Sequence, residues 1–163
     1  MMNNQAIDQL LQDTSAEFSS IEGLIQRIGP LSPENKYLTH YCLMKACGVI
    51  EYSYKTIVAD YHNGCSLQLQ NFIDKMVRSN SSNPSLSNIH SLLKSFDENW
   101  NNQFKHLLNA HPDYNRITSS LSSLNDNRNS FAHGQACTIT FSDVKGYFLD
   151  AVEVIKCLDA VVV

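Results

Sequence analysis

An arginine and a histidine five residues apart, Arg128 and His133, lie in the run Asn125-Asp126-Asn127-Arg128-Asn129-Ser130-Phe131-Ala132-His133-Gly134. Arginine is a fixed cation whose planar fork matches phosphate oxygens in bidentate fashion. Histidine is the side chain whose ordinary pKa lies nearest neutrality, suited to act as base or acid. Asn129, between them, offers an amide that can orient a phosphate or the imidazole. This set suits RNA cleavage. RNA carries its own nucleophile, the ribose 2′-hydroxyl, so the reaction needs a proton acceptor and a cation that stabilises charge on the phosphorane. No metal is required.

The element that carries these residues reads as a helix. Ile117, Leu121, Leu124 and Phe131 fall on one stripe, and the missing apolar position is Arg128. A guanidinium on an inward face is costly unless something anionic meets it. Glu51, set among apolar neighbours on an earlier helix, is the acidic candidate, expected within reach of Arg128 from the same or the other protomer. Gly134 stands where a C-cap glycine would sit. Residues five apart on an ideal helix point about 140° apart. Arg128 and His133 therefore share a face only if the helix ends near Ala132, or each meets its copy across a two-fold axis. That geometry predicts a homodimer with the motif helix near the axis.

The 163 residues suit one domain, 1–163, with a full core. A net charge of −4 argues against a broad basic nucleic-acid platform while leaving room for a small basic site. Cys42, Cys47, Cys65, Cys137 and Cys157 are odd in number with no C-x-x-C, the pattern of reduced thiols in a packed interior. No segment is apolar enough to span a membrane and no leader is visible, so the expected location is cytoplasmic. No cofactor is expected: nucleotide-binding glycine loops and H-E-x-x-H are absent, and the other five histidines show no metal-ligand spacing.

Helical spacing predicts an amphipathic helix over about 4–28, stopped at Gly29-Pro30. Ser32-Pro33-Glu34 predicts a capped restart and a long helix to about 62, packed antiparallel on the first. The small residues Ala46, Cys47 and Gly48 permit close approach of another helix. Tyr37, Tyr41, Tyr52 and Tyr54 on this helix read as core or interface residues rather than base-stacking platforms. A helix over 66–78 is expected to bury Leu67, Leu69, Phe72, Ile73, Met76 and Val77, and a polar loop spans 79–85. Helical spacing resumes from Leu86 to Phe96 and from Trp100 to Leu108. His111-Pro112-Asp113 precedes the motif helix, and Thr140 to Asp143 caps a last one. The fold class is all-α, an antiparallel bundle of long helices.

Arg128-Asn129-Ser130-Phe131-Ala132-His133-Gly134 resembles the R-x-x-x-x-H signature of the HEPN superfamily (higher eukaryotes and prokaryotes nucleotide-binding). The short stand-alone domains of RiboL-PSP-HEPN type look nearest. Glu51 matches the acidic position of several branches. Gln135 stands where one toxin branch has a tyrosine, a departure from that branch. The resemblance implies a metal-independent endoribonuclease, a toxin or anti-phage effector, with RNA as substrate. It also implies a homodimer whose two motifs form one composite cleft, and an antitoxin or defence-complex protein as partner. The competing reading is a catalytically inactive dimeric module that binds a nucleotide, RNA or a partner protein. The acidic balance and the few lysines near the motif favour that second reading, and the intact arginine–histidine pair favours the first.

Overall fold

The computed structural model describes residues 2–29 and 31–163. Among these residues the chain forms seven α-helices and no strand. They are α1 (Gln5–Ile28), α2 (Glu34–Asp60), α3 (Leu67–Ile73), α4 (Leu86–Phe96), α5 (Glu98–Asn109), α6 (Tyr114–Ala132) and α7 (Phe141–Asp159). The all-α reading of the sequence holds.

Local signals set most of the helix ends. The Asn4 side chain caps α1 by accepting the Ile7 N–H at 3.1 Å. Gly29, at φ 93°, ends that helix. Of the expected Gly29-Pro30 stop, Pro30 lies outside the described residues. Thr140 and Asp143 form a reciprocal capping box on α7, as their spacing predicts. Ser32 departs from expectation. Pro33 holds the N-cap position of α2 without a side-chain hydrogen bond. The helix starts one residue late, so the Ser32 hydroxyl donates to the Glu34 carboxylate instead.

α1 and α2 run antiparallel, as the short connection predicts. Asn4 Nδ2 donates to Asp60 at 2.8 Å at one end, and Lys45 pairs with Glu17 at 2.7 Å midway. The centre of the bundle is α7, which packs most widely on α6 and α2. Its Val144, Phe148, Ala151, Ile155 and Leu158 are fully buried. The Phe148 ring meets Phe18 of α1 edge to face at 5.1 Å. Burying one such side chain contributes roughly 1.5–3 kcal/mol. The buried Asp159 carboxylate accepts the backbone N–H groups of Asn3 and Asn4, which ties the start of α1 to the end of α7.

The stretch 66–78 differs most from its sequence reading. α3 stops at Ile73, and a π-helical turn carries the chain from Asp74 to Arg78. Only Ile73 and Val77 are buried, against Ala59, Leu92 and Phe96. Leu67, Leu69, Phe72 and Met76 are exposed. A helix this short lies on the bundle by one edge. Periodicity shows that a face is apolar and says nothing of how much of it is covered.

Candidate functional site

The motif helix ends at Ala132, the first of the two arrangements that the offset of about 140° leaves open. α6 closes there with His133 as the C-cap and Gly134 at φ 70°. The Gly134 N–H donates to Phe131 O at 3.0 Å and the Gln135 N–H to Ser130 O at 2.9 Å. These are the two bonds of a Schellman motif, and its left-handed residue is nearly always glycine. His133 therefore leaves the helical spiral and faces solvent. Among the described residues its imidazole has no hydrogen-bond partner, and no bond links it to Arg128.

Arg128 is half-buried on the inward side of α6, below Ile117, Leu121 and Leu124, which are all buried. Its Nη1 donates to Asn83 Oδ1 at 2.9 Å and to Asn129 Oδ1 at 3.2 Å. Asn83 Nδ2 donates in turn to Asn129 Oδ1 at 3.0 Å, closing a triangle of two amides and a guanidinium. Two other arginines are bound to carboxylates. Arg78 meets Asp60 at 2.6 Å and Asp74 at 2.9 Å, and Arg116 meets Asp113 at 2.9 Å and Asp150 at 3.2 Å. Arg128 is oriented by neutral oxygens alone among the described residues. Its positive charge is unspent, as an anion-binding site needs.

The expected Glu51–Arg128 contact is absent within the protomer. The Glu51 carboxylate pairs with Lys55 at 2.5 Å and accepts the Ser82 N–H at 3.0 Å. Lys55 also donates to Asn80 O, and Tyr54 shares a hydrogen with Ser82 Oγ at 2.6 Å. Glu51 therefore fastens the 79–85 loop, and that loop presents Asn83 to Arg128. Both charges act on the buried Cys47 thiol. Burial pushes that thiol up to about 12, Arg128 pulls it back and Glu51 raises it. Glu51→Gln is expected to lower stability by about 3 kcal/mol, because the Lys55 ammonium, 6% exposed, loses its counter-charge. A thermal melt equal to wild type would show that Glu51 holds nothing.

Asn129 orients Arg128 rather than the imidazole; only its carbonyl touches residue 133, accepting the backbone N–H at 3.0 Å. Asn83 was not singled out by sequence reasoning. Its only signal is membership in an amide- and serine-rich loop before a proline, which holds it extended. The other histidine beside the motif is His40. Its ring lies 4.2 Å from Phe131, and burial, then the Lys36 charge, lower its pKa. His40, Tyr37, Tyr41, Met44 and Phe131 line a groove of about 850 Å³ along the end of α6. Tyr37, Tyr41 and Tyr52 are exposed, and Tyr54 alone of the four α2 tyrosines joins the core. Among the described residues no three of His, Cys, Asp and Glu are placed to hold a metal ion, and all five cysteines are free thiols. No described helix is long and apolar enough to cross a membrane.

An all-helical bundle with Arg128 and His133 at the end of one helix is the arrangement of a HEPN-type domain. The chain belongs to the RiboL-PSP-HEPN family, whose model matches residues 10–163. No curated protein and no solved structure matches the chain.

Proposed function

We propose that this protein is a metal-independent endoribonuclease acting as a homodimer. The observation that carries the reading is the state of Arg128: held in place by two amide oxygens, with no carboxylate on it among the described residues, at the helix end that exposes His133. A scissile phosphate binds the guanidinium. One histidine takes the 2′-hydroxyl proton as the oxygen attacks phosphorus, and the histidine of the second protomer protonates the departing 5′-oxygen. The products are a 2′,3′-cyclic phosphate and a free 5′-hydroxyl. The test is a labelled single-stranded or looped RNA incubated with the pure protein in EDTA. Cleavage with those end groups is expected, and DNA, lacking the 2′-hydroxyl, stays intact. Strict dependence on a divalent metal would defeat the mechanism.

The dimer is supported by an exposed stripe on α2. Tyr37, Tyr41, Met44 and Tyr52 lie on it at helical spacing, with Gly48 between the last two. Ala46 and Cys47 are buried within the protomer, the Cys47 thiol donating to Leu124 O at 3.5 Å. Gly48 points the other way, and a Cβ there would meet nothing within 4 Å. A mid-helix glycine costs roughly 0.5–1 kcal/mol relative to alanine. No contact among the described residues repays that, and close approach of a second α2 would. Light scattering should give twice the 18.4 kDa protomer mass. Gly48→Leu should leave the helical circular dichroism intact and yield monomer. A wild-type monomer at tens of micromolar, or a Gly48→Leu dimer, would count against this face.

A silent binding module remains the second reading, favoured by one observation: among the described residues no hydrogen bond connects the His133 imidazole to Arg128. RNA binding without cleavage by the wild-type dimer would select it. Action as a toxin or phage-defence effector, with an antitoxin or defence-complex partner, belongs to the first reading and is tested by growth arrest on expression.

A further inference from the structure

Resting on the proposed phosphate site, we infer that Asn83 is a positioning residue whose neutrality keeps the Arg128 charge available to the substrate. The Asn83 carboxamide bonds both Arg128 and Asn129, accepting from Arg128 Nη1 at 2.9 Å and donating to Asn129 Oδ1 at 3.0 Å. Its own backbone is held as well: Asn88 Nδ2 donates to Asn83 O at 2.8 Å. The loop around it is pinned on both sides. Glu51 binds the Ser82 N–H at 3.0 Å, and Asn125 Nδ2 donates to Pro84 O at 3.0 Å. Asn83 thus reaches Arg128 from a fixed loop, with an oxygen in the place a carboxylate would take.

Residue type matters here for an electrostatic reason. An amide oxygen orients a guanidinium by hydrogen bonding and leaves its net charge intact. A carboxylate at the same distance would accept from the guanidinium too, but it would lose the bond that the Asn83 amide donates to Asn129 Oδ1, neutralise the cation and repel an incoming phosphate. The protein uses carboxylates for exactly that structural purpose at Arg78 and Arg116. At Arg128 it uses Asn83 and Asn129. The opposed requirements of stability and phosphate binding therefore meet at one side chain.

Asn83→Asp and Asn83→Ala separate the two roles, studied in the full chain. Asn83→Asp should gain thermal stability relative to Asn83→Ala as pH rises from about 3 to 6, through the ordinary carboxylate range. The sign follows from linkage: pairing with Arg128 depresses the folded-state pKa of the new carboxyl, so its stabilisation is present above the unfolded pKa and lost as pH falls. The gain should vanish when Arg128→Ala is added. Affinity for an RNA blocked at its 2′-hydroxyls should fall at least about tenfold in Asn83→Asp, with the salt dependence shallower by about one ion. Asn83→Ala should keep that affinity within a few-fold and lower kcat by about 10–10² through a loosened Arg128. A pH-dependent gain that persists without Arg128 overturns the contact. Equal RNA affinity in Asn83→Asp and Asn83→Ala overturns the electrostatic role even if both cleave RNA. If wild type binds RNA without cutting it, the nuclease reading fails and the Asn83 inference stands on the binding difference. If wild type binds no RNA, both fall.

Discussion

His133→Ala is expected to lower RNA cleavage by at least the ~10²–10⁴-fold typical of a lost general acid or base, with RNA affinity nearly intact. The imidazole is exposed and hydrogen-bonded to nothing among the described residues, so its removal disturbs no packing. Stability should change by no more than about 0.5 kcal/mol, as for an ordinary surface substitution. Loss of activity at unchanged melting temperature and unchanged affinity isolates proton transfer. Wild-type cleavage should show a bell-shaped dependence on pH, because the proposed mechanism needs one imidazole neutral and its symmetry mate protonated. In mixed dimers, one His133→Ala subunit should suffice to remove most of the activity. Full activity of the His133→Ala protein would end the case for acid–base catalysis at this helix.

Arg128→Ala is expected to lower both RNA affinity and cleavage. A phosphate clamp acts in the ground state and more strongly on the phosphorane, so kcat should fall about 10²–10³-fold, as for loss of a preorganised charge-stabilising donor. The salt dependence of binding should drop by about one phosphate contact per protomer. Arg128→Lys should recover affinity better than rate, because an ammonium keeps the charge without the fork. The fold should tolerate these changes. Arg128 is half-buried and its partners are neutral, so the loss is about 0.5–1.5 kcal/mol per hydrogen bond, not the larger cost of an orphaned buried carboxylate. A large drop in melting temperature would make Arg128 a structural residue and reopen the silent-module reading.

The two effects differ in kind, which makes the pair diagnostic. His133→Ala separates rate from binding, and Arg128→Ala moves both. A protein in which both substitutions reduce binding equally and cleave nothing from the start is a binding module built on the same helix end.

The sequence by itself determined most of the helices and the end of the motif helix. Apolar stripes, the Asn4 cap, the Thr140–Asp143 box and the glycine at 134 all act within about four residues, so they are readable along the chain. The place of His133 outside the spiral follows from such a local signal, the Schellman bonds around Gly134. Tertiary structure alone decided what meets Arg128. Sequence pointed to Glu51 and did not single out Asn83, because the outcome depends on how α2 and the 79–85 loop pack on α6. Lys55 takes Glu51, and an asparagine 45 residues from Arg128 in sequence takes the arginine. The same holds for exposure. Leu67, Leu69, Phe72 and Met76 carry an apolar pattern that the bundle leaves uncovered, and Gly48 faces away from the helix that covers Ala46 and Cys47. Periodicity assigns residues to faces of a helix; only the packing of distant segments assigns each face a neighbour.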